Sequence, residues 1–453
     1  MSEERTKLKN FGYFIVPFCV EENQRTDFFK YINTNNIFSE NKNLFNCKYL
    51  FRHVNNVFLN QDNKAVIFDV DINVAKDVKL YANIFSQEKE VAKIEQINLI
   101  MFSDYLGYLL IKIDYLDMNA LEIADFVFSA KRTRALDRNT KTLVNNMLYD
   151  LINTILPESI CDAFFYSNNK NYQFCDIFQF VTVSNDDDLS PQDYKDYYNK
   201  LLFFLGRGYN RDFNFEKNAL AESSTDIHYD PFVYYDWCGS QSTLSCIVNM
   251  EKVSDSDFQF LESQFCNNIN NDYLLEYLIL INQKYSTMYL LDKLTQEKID
   301  IEVVENQLND FKIKYSFKAI SNELTYQNIY NKMLNALDIK SLIYDVEDSS
   351  ERIRANDRKA DEKREKTTNN ILFILGLLSL GSALIDFSDY FDKWAPISEL
   401  QVSTWVSAII VFITLIVTIV IGKPVLSEFK KSFKEKRTTK KRKENNGNGQ
   451  NVY

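Results

Sequence analysis

From Ser240 to Leu375 the chain contains neither glycine nor proline. A stretch that long without either breaker is most naturally built from long helices. Inside it Phe258, Leu261, Phe265, Ile269, Leu274, Leu278, Ile281, Tyr285, Met288 and Leu291 recur at helical spacing, which predicts a helix over about 255–294. A second helical region is expected from about Ile299. Farther on, Ile329, Met333, Ala336, Ile339, Ile343, Val346 and Ile353 fall at intervals of three, four or seven. The charged run EDSSERIRANDRKADEKREK follows, and nothing in it breaks a helix. The pattern predicts one continuous helix that leaves a globular body through a charged collar.

Two uncharged runs come next. Thr367 to Ile385 contains ILFILGLLSLGSALI, and Leu400 to Gly422 contains WVSAIIVFITLIVTIVIG. A membrane-spanning helix needs about 20 mainly apolar residues, so both runs are expected to be transmembrane helices. Lys and Arg crowd their outer flanks, whereas the loop between them carries Asp386, Asp389, Asp392 and Glu399 against Lys393 alone. The excess of positive charge places both termini in the cytoplasm and the loop outside. Trp394 and Trp405 stand on the loop side, where an aromatic belt belongs,.

The first 250 residues read as mixed α/β. FGYFIVPFCV, KAVIFDVDI, INLIMF, YLLIKIDYL and YQFCDIFQFVTV are rich in β-branched and aromatic residues, as strands are,. NALEIADFVFSAKR and YKDYYNKLLFFL read as helices. The net charge of −11 conceals an asymmetry, because the stretch from Lys423 onward is strongly basic. The rest is therefore more acidic still, a poor partner for nucleic acid. The basic end suits an anionic lipid leaflet.

Candidate chemistry is sparse. The seven cysteines are scattered and form no C-x-x-C pair, which points to free thiols in a reducing compartment. The two histidines, His53 and His228, show no metal-ligand spacing,. Asp69 and Asp71 in VIFDVDIN resemble the first motif of haloacid-dehalogenase-like phosphatases, but Ile72-Asn73 stand where that motif has Gly-Thr. Cys238 has only His228 as a nearby candidate base,. Neither pattern marks an enzyme, and no catalytic or metal residue is assigned. Two basic clusters interrupt the acidic body: Lys131, Arg132, Arg134, Arg138 and Lys141, and then Arg207 and Arg211 in FLGRGYNRD. Guanidinium groups bind phosphate bidentately, so Arg132, Arg134, Arg207 and Arg211 are the expected contacts to an anionic ligand. Gly206 and Gly208 would let backbone approach it. Solvated helix faces are the alternative reading of both clusters.

On the first uncharged run Gly376, Ser379, Ser382, Asp386 and Asp389 are spaced by three or four and share one helical face,. Several copies around an axis would turn this face into a cation path with rings of carboxylates at its mouth. The equal alternative from the stripe alone is that Asp386 and Asp389 sit in the headgroup zone while the small residues pack against the second run. The order of an α/β domain, breaker-free helices, a charged stalk, two apolar runs and a basic end resembles the CorA superfamily of two-span, usually pentameric cation channels. That family's Gly-Met-Asn filter is replaced here by IDFSDYFDKW. CorA-like proteins without the filter resemble membrane effectors of type III CRISPR systems, gated by a conjugate of S-adenosylmethionine and AMP. The resemblance implies an α/β cytoplasmic domain followed by a long helical stalk and two transmembrane helices. The expected domains are 1–250 for ligand sensing, 251–368 for helices and stalk, 369–422 for the spans and 423–453 for the tail. The expected function is a ligand-gated, non-enzymatic cation channel in antiviral defence. It would be a homo-oligomer, with a pentamer favoured, and multi-pass in the cell inner membrane. Its partners would be membrane lipid and a small nucleotide-like activating ligand, with no cofactor and no direct nucleic acid. A divalent-cation transporter and a membrane-anchored enzyme or scaffold are the alternatives.

Overall fold

The computed structural model describes residues 8–41, 44–59, 65–83, 86–103, 105–131, 134–136, 143–145, 147–157, 159, 175–185, 188–212, 227–295 and 301–394. Two compact units divide the chain, Met1–Glu351 and Arg352–Tyr453.

The first unit is organised by a ten-stranded mixed sheet. Its strands are β1 (Phe11–Cys19), β2 (Phe38–Glu40), β3 (Val66–Val70), β4 (Leu80–Asn83), β5 (Ser86–Met101), β6 (Leu106–Asp114), β9 (Asp176–Val183), β10 (Ile227–Tyr229), β11 (Tyr235–Ser240) and β12 (Thr243–Asn249). A separate pair joins β7 (Arg134–Leu136) to β8 (Leu143–Asn145). The order across the main sheet is β10-β11-β12-β9-β1-β6-β5-β3-β2, with β4 pairing to β5. All contacts are antiparallel except β12 on β9. Every residue of β1 is buried, which explains why FGYFIVPFC reads as a continuous apolar run and not as an alternation. Pro17 falls beyond the last β1 residue paired to β9, so its missing N–H breaks no bond of that ladder,.

Helices cover both faces. On one face lie α1 (Arg25–Thr34), α3 (Ala120–Ala130), α4 (Met147–Ile155) and α5 (Pro191–Arg207), over a core that includes Phe14, Val16, Phe18, Leu109, Ile111 and Val181. A short α2 (Arg52–Leu59) precedes β3. On the other face a helical run begins with α6 (Asp255–Phe260), passes through π turns at Leu261–Phe265 and Ile269–Tyr273, and continues as α7 (Leu274–Leu294). Phe178 meets Tyr277 at 5.6 Å and Tyr13 hydrogen-bonds Asn270 at 2.5 Å, which seats this run on the sheet. α8 (Ile301–Tyr315) and α9 (Leu324–Ala336) pack against α7 from outside. Sandwiched between layers, α7 is buried on most of its circumference, the expected fate of a helix apolar nearly all round.

The last described helix, α10 (Ile339–Trp394), has 56 residues. The expected continuity from Ile329 fails at one point. α9 stops at Ala336, and Asp338 adopts φ 51°. Aspartate tolerates the left-handed region without being a glycine, so the break carried no signal of the usual kind. From Ile339 on, the charged collar does not interrupt the helix.

Among the described residues no helix is long and apolar enough to cross a membrane. Of the two expected transmembrane helices this bears on the first, and it contradicts the two-span CorA-like membrane fold, the membrane-channel assignment and the multi-pass inner-membrane placement built on the pair. The physical reason lies in the run itself. Thr367-Thr368-Asn369-Asn370 at its start are polar and Asp386 closes it, which leaves Ile371–Ile385 as its apolar part. At 1.5 Å per residue that covers only about 22 Å, against a hydrocarbon core of about 30 Å. It is the distal part of α10, not a span of its own. The second expected span, Leu400–Gly422, and the basic tail lie outside the described residues. The cation path expected along Gly376, Ser379, Ser382, Asp386 and Asp389 required a membrane span at this part of α10. Gly376, Ser379 and Ser382 stand exposed on α10, and the side chains of Asp386 and Asp389 lie outside the description.

Candidate functional site

The two basic segments singled out by the sequence meet where α3 and α5 end. α3 starts with a capping box: Asn119 Oδ1 accepts from the Glu122 N–H at 3.0 Å, and the Asn119 N–H donates to Glu122 Oε2 at 2.9 Å,. Its apolar face, with Ile123, Phe126, Val127 and Ala130, sinks into the core. Lys131 follows as the C-cap, and its N–H donates to Val127 O at 3.1 Å. The Lys131 side chain is buried, and Nζ donates to Arg207 O at 3.3 Å, the carbonyl that finishes α5.

α5 is framed by equally local signals. Ser190 caps it, with Oγ accepting from the Asp193 N–H at 3.3 Å, and Pro191 opens it,. Gly208 closes it at φ 60° and ψ 43°, a left-handed cap that glycine adopts without penalty. A Cβ there would stand 2.7 Å from Lys131 Nζ. At Gly206 a Cβ would stand 3.1 Å from Cys238 Sγ and 3.2 Å from the Gly239 nitrogen. Both glycines therefore admit parts of the protein itself, the lysine in one case and β11 in the other.

The C-terminal ends of two helices carry partial negative charge, which draws cations. That accounts locally for Lys131 and Arg207 at this place. The Arg207 guanidinium lies 4.8 Å from the Phe203 ring centroid. Arg211 reaches back to α3, where Asp125 accepts from its backbone N–H at 3.0 Å and from Nε at 2.5 Å. Of the four predicted arginines, Arg207 and Arg211 are thus brought beside the end of α3. Arg132 lies outside the described residues, and Arg134 belongs to β7 with its side chain undescribed.

Beneath them a polar network crosses the sheet. Gln179 Nε2 donates to Ser245 Oγ at 2.9 Å and to Leu205 O at 3.3 Å, and Tyr115 OH donates to Gln179 Oε1 at 3.2 Å. Thr243, at the start of β12, is fully buried, and its Oγ1 has no hydrogen-bond partner among the described residues. On the other face of the same sheet end, Asp176 is completely buried. It accepts from Tyr285 OH at 2.6 Å and from Lys284 Nζ at 3.3 Å. Burial pushes the Asp176 carboxyl pKa up, and Lys284, Tyr285 and Lys131 oppose that shift. Sequence reasoning missed this group. Its one available signal was Lys284, a charge amid the apolar residues of α7.

The remaining candidates have structural roles. Asp69 Oδ1 accepts from Asn41 and Asn98 at 2.8 and 2.6 Å, and Asp71 caps a short turn through the Asn73 N–H at 3.0 Å. Cys238 and His228 stand opposite each other across β10 and β11. Cys238 is buried beneath α5, while His228 Nε2 lies 3.5 Å from Asp236 Oδ1, a hydrogen bond that raises the imidazole pKa. His53 stacks on Phe51 and meets Phe317 at a tilt of 57°. Among the described residues no group of three or more His, Cys, Asp and Glu could hold a metal ion. No family model, no curated protein and no solved structure matches the chain.

Proposed function

We propose that the globular unit is the sensing part of a non-enzymatic, homo-oligomeric effector, and that it binds a small anionic, nucleotide-like ligand where α3 and α5 end. The observation that carries this reading is the contact of Lys131 Nζ with Arg207 O. It joins two basic segments that lie far apart in an acidic chain. Arg207 offers a planar fork of donors beside an aromatic ring, an arrangement that suits a phosphate next to a base. Lys131, Arg207 and Arg211 meet here with Asp125 holding Arg211, a balance of charge that favours a ligand of negative charge. Native mass spectrometry of the full chain tests the proposal by the mass of a co-purifying ligand and the subunit count. Titration with AMP gives the affinity directly. Arg207→Ala should weaken AMP binding about tenfold or more, the loss of one charge-assisted contact. Unchanged affinity in that variant, or no binding of AMP and no co-purifying ligand, overturns the assignment.

The oligomeric part of the proposal rests on α10. Ile371, Leu372, Phe373, Ile374 and Leu375 are consecutive, and all are exposed, Leu372 at 59%. Five consecutive residues reach every side of a helix at 100° per residue. A helix that is apolar all round is stable when it is enclosed. Other copies of α10 would enclose it. Gly376, with nothing within 4 Å of its Cβ position, would let backbones approach closely. The collar before it mixes both signs, as in the Asp361–Arg364 pair at 3.7 Å, so parallel copies would not simply repel. Light scattering should find an oligomer that Leu372→Glu with Leu375→Glu converts to monomers. A monomeric wild-type chain would sink this part alone.

A further inference from the structure

The sheet face opposite Lys131 carries a cavity that the proposed function does not use. It lies at the start of β1 and the end of β6, measures about 390 Å³, and is lined among others by Leu8, Lys9, Phe11, Glu95, Lys112, Asp114 and Glu262. That is at the small end of the range for ligand-binding cavities, about 300–1,000 Å³. Backbone register builds its charged wall. Phe11 pairs with Asp114 and Tyr13 with Lys112 across β1 and β6. On β5 the register slips between Ile94 and Gln96. Glu95 is the extra residue of this bulge, and bulges re-aim side chains. Here the bulge carries Glu95 Oε2 to 3.1 Å from Lys112 Nζ.

The charges of this wall differ in how firmly they are held. Lys112 is fixed by Glu95 and lies 5.2 and 6.0 Å from the ring centroids of Phe11 and Tyr13. Lys9 has one long contact, 3.7 Å to Asp114, and its side chain is 77% exposed. Among the described residues that contact is the ion pair of Asp114, and its carboxyl pKa is raised, first by burial and then by Glu95, with Lys9 and Lys112 opposing the shift. Glu262 makes no ion pair or hydrogen bond among the described residues and lines the same space. The cavity thus offers one loosely held ammonium, the Asp114 carboxyl that shares it, the Glu262 carboxylate and an apolar side formed by Leu8 and Phe11.

We propose that this cavity binds a small zwitterion of the amino-acid class, with its carboxylate on Lys9, its ammonium on Asp114 and Glu262, and an apolar side chain beside Leu8 and Phe11. Both signs of charge are needed to engage both sets of groups. A simple cation would leave Lys9 unused, and a simple anion would face the two carboxylates. The site shares no residue with the basic site at α3 and α5, so the two readings stand or fall separately. Calorimetric titration of the full chain with L-leucine and L-phenylalanine tests it, set beside isoamylamine and phenethylamine, which lack the carboxylate, and isocaproate and hydrocinnamate, which lack the ammonium. At least one zwitterion should bind saturably, and its two half-molecules about tenfold or more weakly. Glu262→Gln and Lys9→Gln are surface changes that should each weaken the zwitterion comparably while the unfolding temperature stays put. If neither zwitterion binds, if an amine alone binds as tightly as its amino acid, or if both variants keep full affinity, the proposal is wrong.

Discussion

Helices cover both faces of the sheet, but the two faces are made of different material. On the α3 and α5 face the core is aliphatic and aromatic, and its central polar groups, Gln179, Ser245 and Tyr115, bond one another, with Thr243 Oγ1 left over at the edge. The α7 side buries Asp176, Asp272, Glu276, Asn282, Gln283 and Thr287. Among the described residues several of those groups lack hydrogen-bond partners: both Glu276 oxygens, Asp272 Oδ2, Asn282 Nδ2 and Tyr277 OH. Closed networks specify a rigid layer, and open ones carry a penalty that depends on protonation and on what can be recruited. The first face should therefore fix the fold. The second should make its stability respond to conditions.

The largest expected effect is on the apolar face. Phe14 is fully buried and its ring meets that of Phe126 at 6.1 Å. Phe14→Ala should cost about 3–5 kcal/mol, the sum of lost transfer energy and a cavity. Urea unfolding at several pH values measures this, and the loss should be the same at each. A loss that varied steeply with pH would erase the contrast between the faces.

Next comes the buried ion pair. Lys284→Met removes the cation beside Asp176 and leaves Tyr285 as its remaining side-chain donor. Breaking one side of a buried pair costs about 3–5 kcal/mol. Protonation of Asp176 should relieve part of it, so the deficit should sit at the lower end and shrink as pH falls. Lys284→Met with Asp176→Asn should recover much of the loss, because no charge is then stranded. A double variant no better than the single one would show that Lys284 acts through packing alone.

How much of this was legible beforehand follows from where the information sits. The strands of the central sheet were legible because burial on both faces leaves continuous β-branched and aromatic runs. α3 and α5 were legible because their caps are local. The pairing of Asp176 with Lys284 was not, since those residues are far apart in sequence and meet only when α7 lies down on β9. The bulge at Glu95 and the π turns in the run before α7 are likewise products of tertiary fit. The first expected span fails for a different reason. Its run lacks charge from Thr367 on, but Asn369 and Asn370 are polar and shorten its apolar part. For the candidate site, Arg207 and Arg211 were visible as charge against an acidic background, while Lys131 became central only through its contact with Arg207 O.

Glu276 gives the third prediction, a moderate and pH-dependent one. Its carboxyl is buried without a hydrogen bond, and burial, assisted by Asp272, raises its pKa well above the usual value. The folded state therefore binds a proton that the unfolded state has released. Its stability contribution is fully present below the unfolded value, near 4.5, and is lost as pH rises toward the folded one. Between them the slope is about −1.4 kcal/mol per pH unit. Glu276→Gln removes the titrating group, so its stability should be flatter with pH, and its advantage over wild type should grow as pH rises. Asp272, Tyr273, Tyr326 and Tyr330 surround the site, and Asp272 shares the same direction of shift. Some slope should therefore remain. Parallel curves for the two proteins would mean that Glu276 finds a partner in solution.

The smallest effect belongs to the hinge between faces and function, Gly208. Its φ of 60° is open to alanine only at a cost of about 1–2 kcal/mol,. The added Cβ would also crowd Lys131 Nζ. That ammonium is the movable end of a flexible side chain, so it can yield, and Gly208→Ala should fold with a loss near that range. What should change more is the site. Lys131 displaced from Arg207 O would free the end of α5 and loosen the geometry that sets Arg207 beside Phe203. Binding of AMP should weaken in Gly208→Ala, while the pH dependence governed by Glu276 on the other side of the sheet should not alter. If AMP affinity is kept although stability falls as expected, the Lys131 contact serves only to close α5, and the arginines bind without it.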